Sequence, residues 1–120
     1  MSAQTLRIQI LNGKTGKPIS NNRVVLMGES DSKGISELGT FFTDADGVLT
    51  ASQTDPQTRS VIVYPEWHQP CSKNRNFSVA DIASKGVVSE NSCKKLERTA
   101  SPGTLILFVR DETFFEKMAH

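Results

Sequence analysis

Thr104-Leu105-Ile106-Leu107-Phe108-Val109-Arg110 is the strongest strand in the sequence. Between its polar ends it is apolar without interruption. A strand with one wet face alternates, so this unbroken run points to a central position or to burial on both faces. The chain continues through Thr113-Phe114-Phe115-Glu116-Lys117-Met118, which reads as a short helix packing Phe and Met onto the domain. Upstream, residues 65–103 have weak strand character. A structureless loop of that length is uncommon in a compact domain. Part of it reads as a helix: Ser78 as N-cap, Val79-Ala80-Asp81-Ile82-Ala83-Ser84-Lys85 as the body, and Gly86 where a terminating glycine belongs. Asp81 falls at the third helical position, where a carboxylate favours the helix start.

The first half is a series of short strands. Leu6, Ile8 and Ile10 alternate with Arg7 and Gln9, the period of a half-buried strand. Asn12-Gly13-Lys14-Thr15-Gly16-Lys17-Pro18 is a turn region. Val24-Val25-Leu26-Met27 reads as the next strand. Residues 28–39 are rich in Ser, Gly and charge and read as a loop at one end of the domain. Thr40-Phe41-Phe42-Thr43 and Val48-Leu49-Thr50-Ala51 read as strands, and the Asp46-Gly47 dipeptide between them predicts a hairpin. Asp55-Pro56 marks a turn, and Arg59-Ser60-Val61-Ile62-Val63-Tyr64 a further strand. Turns spaced about 8–12 residues apart, with little helix, predict an all-β sandwich. Its core candidates are Leu6, Ile8, Ile10, Val25, Phe41, Leu49, Val61, Val63, Ile106 and Phe108.

The 120 residues suit one domain, 1–120. Hydrophobic residues make up 37% and charged residues 22%, as in soluble globular chains. A formal net charge of +1 argues against a nucleic-acid partner held by bulk charge. No apolar run approaches the roughly 20 residues of a membrane span. Residues 1–5 carry neither a basic nor an apolar targeting segment, so no signal peptide is expected in them. Two histories fit: a cytoplasmic protein, or the mature part of an exported chain with an added initiator Met.

Cys71 and Cys93 are the only cysteines and lack CxxC spacing, which excludes a thioredoxin-type motif. With only His68 nearby, the pattern lacks the paired spacing of a zinc site. One disulfide clipping the 65–103 segment is the better reading, with free buried thiols as the alternative. Such a loop closure contributes about 3 kcal/mol in the chain-entropy model, and a disulfide implies an oxidising compartment. Asp44-Ala45-Asp46-Gly47 invites a calcium reading, but Leu49 and Asp55 stand where an EF-hand loop needs Gly and Glu. No metal site is expected. Lys94-Lys95-Leu96-Glu97-Arg98 reads as a solvated loop, and no glycine-rich phosphate cradle occurs. Tyr64-Pro65-Glu66-Trp67-His68 brings the single Tyr, the single Trp and one of two His to the exit of a strand. Such aromatics either stack on a sugar, anchor a partner or cap the core. Tyr64, Trp67 and His68 are therefore the binding-site candidates. No catalytic constellation is found, although a nucleophilic Cys with a distant His stays open.

Three segments together carry a resemblance: Thr15-Gly16-Lys17-Pro18-Ile19 after the first strand, Arg23-Val24-Val25-Leu26, and Thr43-Asp44-Ala45-Asp46-Gly47-Val48. Residues 5–64 resemble the carboxypeptidase regulatory-like domain, a prealbumin-like (transthyretin-like) β-sandwich related to Cna-B-type repeats. The ending, Pro102–Arg110 with Phe114–Met118, is similar to endings of small exported bacterial proteins with this domain. The resemblance implies an antiparallel, Ig-like sandwich of about seven strands, with short helices in 65–103 and at the C-terminus. It also implies a non-catalytic accessory or adhesive module outside the cytoplasm, extracellular or periplasmic. The chain lacks the Tyr-Arg-Gly-Ser ending of the transthyretin-like hydroxyisourate hydrolases and the Tyr and His set of the intradiol dioxygenases. It also lacks the first-strand Lys and last-strand Asn of an isopeptide cross-link. The expected function is binding of a protein partner or self-association, with 65–103 as the contact surface. A carbohydrate-binding module using Trp67 and Tyr64, with a polysaccharide as ligand, is the alternative. No cofactor is expected.

Overall fold

The computed structural model describes residues 4–54, 57–113 and 117–118. The strands are β1 (Gln4–Asn12), β2 (Arg23–Ser30), β3 (Gly34–Phe42), β4 (Val48–Thr54), β5 (Thr58–Pro65), β6 (His68–Pro70), β7 (Asn76–Ser78), β8 (Val87–Val88) and β9 (Thr104–Asp111), with α1 (Val79–Ser84) between β7 and β8. They form two sheets. Sheet A has the order β4-β1-β9-β6, with β8 also on β9, and sheet B the order β3-β2-β5-β7. The chain is therefore mostly β, as expected, but the described residues hold nine strands rather than about seven. Three of the nine are the two- and three-residue strands of the 65–103 segment.

Sheet A is not wholly antiparallel. β1 and β9 run parallel, from Arg7↔Thr104 to Asn12↔Val109, and β8 also runs parallel to β9. Parallel neighbours need a long crossover, and for β1 and β9 the remainder of the domain is that crossover. β9 occupies the centre, with β1 on one side and β8 and β6 on the other. Leu105, Leu107 and Val109 point into the core between the sheets, against Leu6, Ile8, Ile10, Val24, Leu26, Val61 and Val63. Ile106 and Phe108 point the other way, into a second cluster with Leu11 and Cys71, which Val88, Cys93 and Leu96 adjoin. All five central residues of β9 are buried, which accounts for its unbroken apolar run.

The cover over that second face is tied down by polar contacts. Cys71 and Cys93 form a disulfide across a sequence separation of 22, with Cα atoms 5.5 Å apart. The Ser89 N–H donates to Ile106 O (2.9 Å), and the Phe108 N–H donates to Ser89 Oγ (3.1 Å). Asn91 Nδ2 donates to Gly13 O at 2.8 Å. Gly13 is needed here because a Cβ would come within 2.7 Å of Asn91 Oδ1. Arg98 of the basic run donates to Gly16 O (3.3 Å), so the run also docks on the 12–17 turn.

Several expectations are corrected. Residues 28–39 are not a loop: β2 and β3 pair from Arg23↔Phe42 to Ser30↔Gly34 around the turn 31–33. Their polar composition reflects the position of β3 at the edge of sheet B, where most of its residues are exposed. The Asp44–Gly47 turn is not a hairpin, because β3 pairs with β2 while β4 pairs with β1. It moves the chain from one sheet to the other, with Asp44 Oδ1 accepting from the Asp46 and Val48 N–H groups at 2.9 Å each. Gly47 permits it, with φ 75° and Ile10 O only 2.6 Å from where a Cβ would stand. Val25 is half-buried on the outer face of sheet B, while Val24 and Leu26 enter the core. Four consecutive apolar residues leave the parity of that strand undetermined until pairing sets it. Phe41 packs against the core from its margin.

The helix stands as expected. Ser78 Oγ accepts from the Asp81 N–H (3.2 Å), and Gly86, at φ 82°, donates to Asp81 O and Ile82 O. Of the C-terminal helix expected at 113–118, residues 114–116 lie outside the described residues, while residues 117 and 118 are helical and the Lys117 N–H donates to Thr113 O (3.0 Å). Met118, which is described, is exposed rather than packed on the sandwich. No helix among the described residues is long and apolar enough to cross a membrane.

Candidate functional site

Tyr64, Trp67 and His68 lie where the chain leaves sheet B and enters sheet A. Tyr64 is opposite Val25 on the outer face of sheet B, and His68 opens β6 opposite Asp111. Between them Glu66 and Trp67 form a tight turn, with Trp67 at φ 64°. A non-glycine residue there costs on the order of 1–2 kcal/mol, so the surroundings must hold it. They hold it from both sheets. The Glu66 N–H donates to Arg23 O (2.8 Å), Asn22 Nδ2 donates to Glu66 O (3.0 Å), and the Glu112 N–H donates to Trp67 O (2.9 Å). Trp67 on this turn is 47% exposed, and Tyr64, three residues earlier, is 43% exposed. Trp67 does not cap the core.

His68 is mostly enclosed. Its Nδ1 lies 2.8 Å from Glu66 O and its Nε2 lies 3.3 Å from Asp111 Oδ1. Both ring nitrogens thus face acceptors of the fold itself, which makes His68 a clip across the turn. Arg23 pairs with Glu66 at 2.9 Å. On the far side of Tyr64, the Arg75 guanidinium sits over the ring, 5.5 Å from its centroid. Arg75 also donates to Gln69 Oε1, and Gln69 Nε2 donates to Glu112 Oε2 at 2.7 Å. Glu112 is buried. A guanidinium only donates, so Arg75 takes the Oε1 end of the Gln69 amide and leaves Nε2 to Glu112.

Together these residues line an open groove of about 470 Å³, with Tyr64 on one wall and Arg23, His68, Gln69, Arg75 and Glu112 around it. It offers one aromatic ring and planar hydrogen-bonding groups. That combination can hold a polar ring-shaped ligand by stacking and paired hydrogen bonds. Among the described residues no group of three or more His, Cys, Asp or Glu is placed to hold a metal ion.

Sequence reasoning named Tyr64, Trp67 and His68, and the structure places all three at this end. Only Tyr64 and His68 line the groove itself. The reading missed Arg23, Gln69, Arg75 and Glu112. Arg23 comes from β2 and Glu112 follows β9, so only strand pairing brings them here. For Arg75 and Gln69 the sequence carries no signal beyond a polar stretch after the aromatic cluster. Cys71 and Cys93 lie away from the groove, in the cover over sheet A.

No family model and no curated protein matches the chain. Among solved structures, the crystal structure of a 9R-lipoxygenase from Cyanothece PCC8801 is similar over 88% of this chain, at 13% identity and a TM-score of 0.44. The chain spans 16% of that protein's length. A likeness of this level transfers no role.

Proposed function

We propose that the chain is a non-catalytic, exported binding module that takes a carbohydrate at the groove beside Tyr64 and Trp67. The observation that carries the reading is the strained turn that leaves Trp67 47% exposed, three residues along the chain from an exposed Tyr64. A fold gains nothing for its core by keeping a tryptophan there, whereas a stacking platform needs it. The export component rests on the Cys71–Cys93 disulfide, since such bonds persist in extracellular or periplasmic compartments. The prealbumin-like assignment rests on the placement of the matching motifs: Thr15–Ile19 lies in the β1–β2 connection and Thr43–Val48 joins β3 to β4 in a two-sheet fold. Intrinsic fluorescence tests the carbohydrate reading, because Trp67 is the single tryptophan. Titration with cell-wall and plant polysaccharides is expected to shift the emission to the blue and to saturate. Trp67→Ala should remain folded and no longer bind. An emission that no glycan moves removes the proposal.

A second reading, contact with a protein partner or a second copy, is favoured by the other exposed apolar side chains. Ile35 is 57% and Phe42 61% exposed. Cross-strand partners share a face, so pairing opposite Glu29 and Arg23 puts them on the outer face of sheet B with Tyr64. They sit on the edge strand β3, the kind of strand that recruits another chain.

A further inference from the structure

Arg75 has no carboxylate at ion-pair distance among the described residues, unlike Arg23, which Glu66 neutralises. Its guanidinium is half-buried, lies on the Tyr64 ring and borders the groove. Its orientation is fixed from behind by the chain Glu112–Gln69–Arg75, anchored in a buried carboxylate. A neutral amide oxygen takes one donor and leaves the rest of the fork free to face a ligand. The positive charge is thus held at the edge of an aromatic face with a neutral amide, not a carboxylate, as its direct partner. Planar guanidinium forks match carboxylates in a bidentate way that a lysine cannot.

We infer that the groove recognises the carboxylate of an acidic sugar, with Arg75 reading the charge and Tyr64 the ring. This inference rests on the carbohydrate reading and narrows it to uronic-acid-bearing polysaccharides. Glu66 does not oppose it, because Arg23 pairs with it, and Glu112 is buried and separated from Arg75 by the Gln69 amide. Arg75 and the buried Gln69–Glu112 pair have separate tasks: the first touches the ligand and the second positions the first.

The test uses two probes that differ only at the carboxyl groups, a galacturonic acid trimer and its fully methyl-esterified counterpart, titrated calorimetrically into the whole chain. The acid form is expected to bind about 10- to 100-fold more tightly than the ester, the range for a hydrogen bond to a charged group. Its affinity should fall with added salt. Arg75→Met, which keeps a flexible apolar stem on the Tyr64 ring, should reduce acid binding to the level of the ester. Arg75→Lys should recover only part of it, and Arg59→Gln, at the far end of sheet B, none should be lost. Circular dichroism confirms that each variant is folded. Equal binding of acid and ester, or an Arg75→Met variant as tight as the native chain, overturns the inference and leaves the carbohydrate reading standing. Binding of neither trimer, with Trp67 fluorescence unmoved by any glycan, overturns both. If a peptide ending in a free carboxylate binds more tightly than the acid trimer, the groove serves a protein and the inference also fails.

Discussion

The outer faces of the two sheets are treated in opposite ways. On sheet A, Leu11, Ile106 and Phe108 are covered by a segment of the same chain, pinned by the Cys71–Cys93 disulfide and by hydrogen bonds from Ser89 and Asn91. On sheet B, Ile35, Phe42 and Tyr64 stay in solvent, mixed with Arg23, Glu29 and Glu37. The difference follows composition. Leaving Ile106 and Phe108 exposed would forgo about 1.5–3 kcal/mol per side chain, so their face carries a third layer. The sheet B face is polar enough to remain in water, and its large apolar side chains are available for contact. The 65–103 segment, expected to carry the contact surface, divides among three uses. His68, Gln69 and Arg75 line the groove, Phe77, Val79 and Ile82 enter the core between the sheets, and Cys71, Val88, Cys93 and Leu96 contribute the cover.

The contrast can be broken by three measurements. The largest effect is expected from Phe108→Ala, which empties the centre of the covered face. If that face is a true second core, the variant loses about 3–5 kcal/mol in urea denaturation; a loss near zero would mean the cover is a loose flap. Next comes Cys93→Ser. Opening the 22-residue separation should cost about 3 kcal/mol, and reducing the native chain should reproduce it. The two effects should not add fully, because Phe108 and Cys71 share one cluster. The smallest is Phe42→Ser on the open face. Stability should stay within about 0.5 kcal/mol of the native chain. Light scattering across a concentration series then decides the second functional reading: if the native chain self-associates through β3, the variant should not, and a native chain that stays monomeric removes self-association.

Some of this was legible from local sequence alone. The unbroken run of β9 announced burial on two faces, and the helix was marked at both ends by Ser78 and Gly86. The two cysteines pointed to one another once other uses of them failed. The exposed aromatic cluster was visible as a group, although whether Trp67 faced inward or outward was not. Other features resisted. The polar residues of β3 looked like a loop because edge strands need no apolar pattern. The Asp46-Gly47 turn looked like a hairpin because turn chemistry is the same whether the flanking strands pair with each other or part.

What the sequence determined by itself is therefore what depends on neighbours along the chain: strand and helix propensity, capping, turn positions and the supply of apolar material. Tertiary structure alone decided which strands pair, that the first and last run parallel, and which face of β2 is inward. It also assembled the groove, because Arg23, the Gln69–Arg75 stretch and Glu112 come from three distant parts of the chain and meet only when sheets A and B close against each other. The reason is physical. Local preferences act over a few bonds, whereas the cost of leaving apolar faces in water is settled only when remote segments choose which surfaces to share.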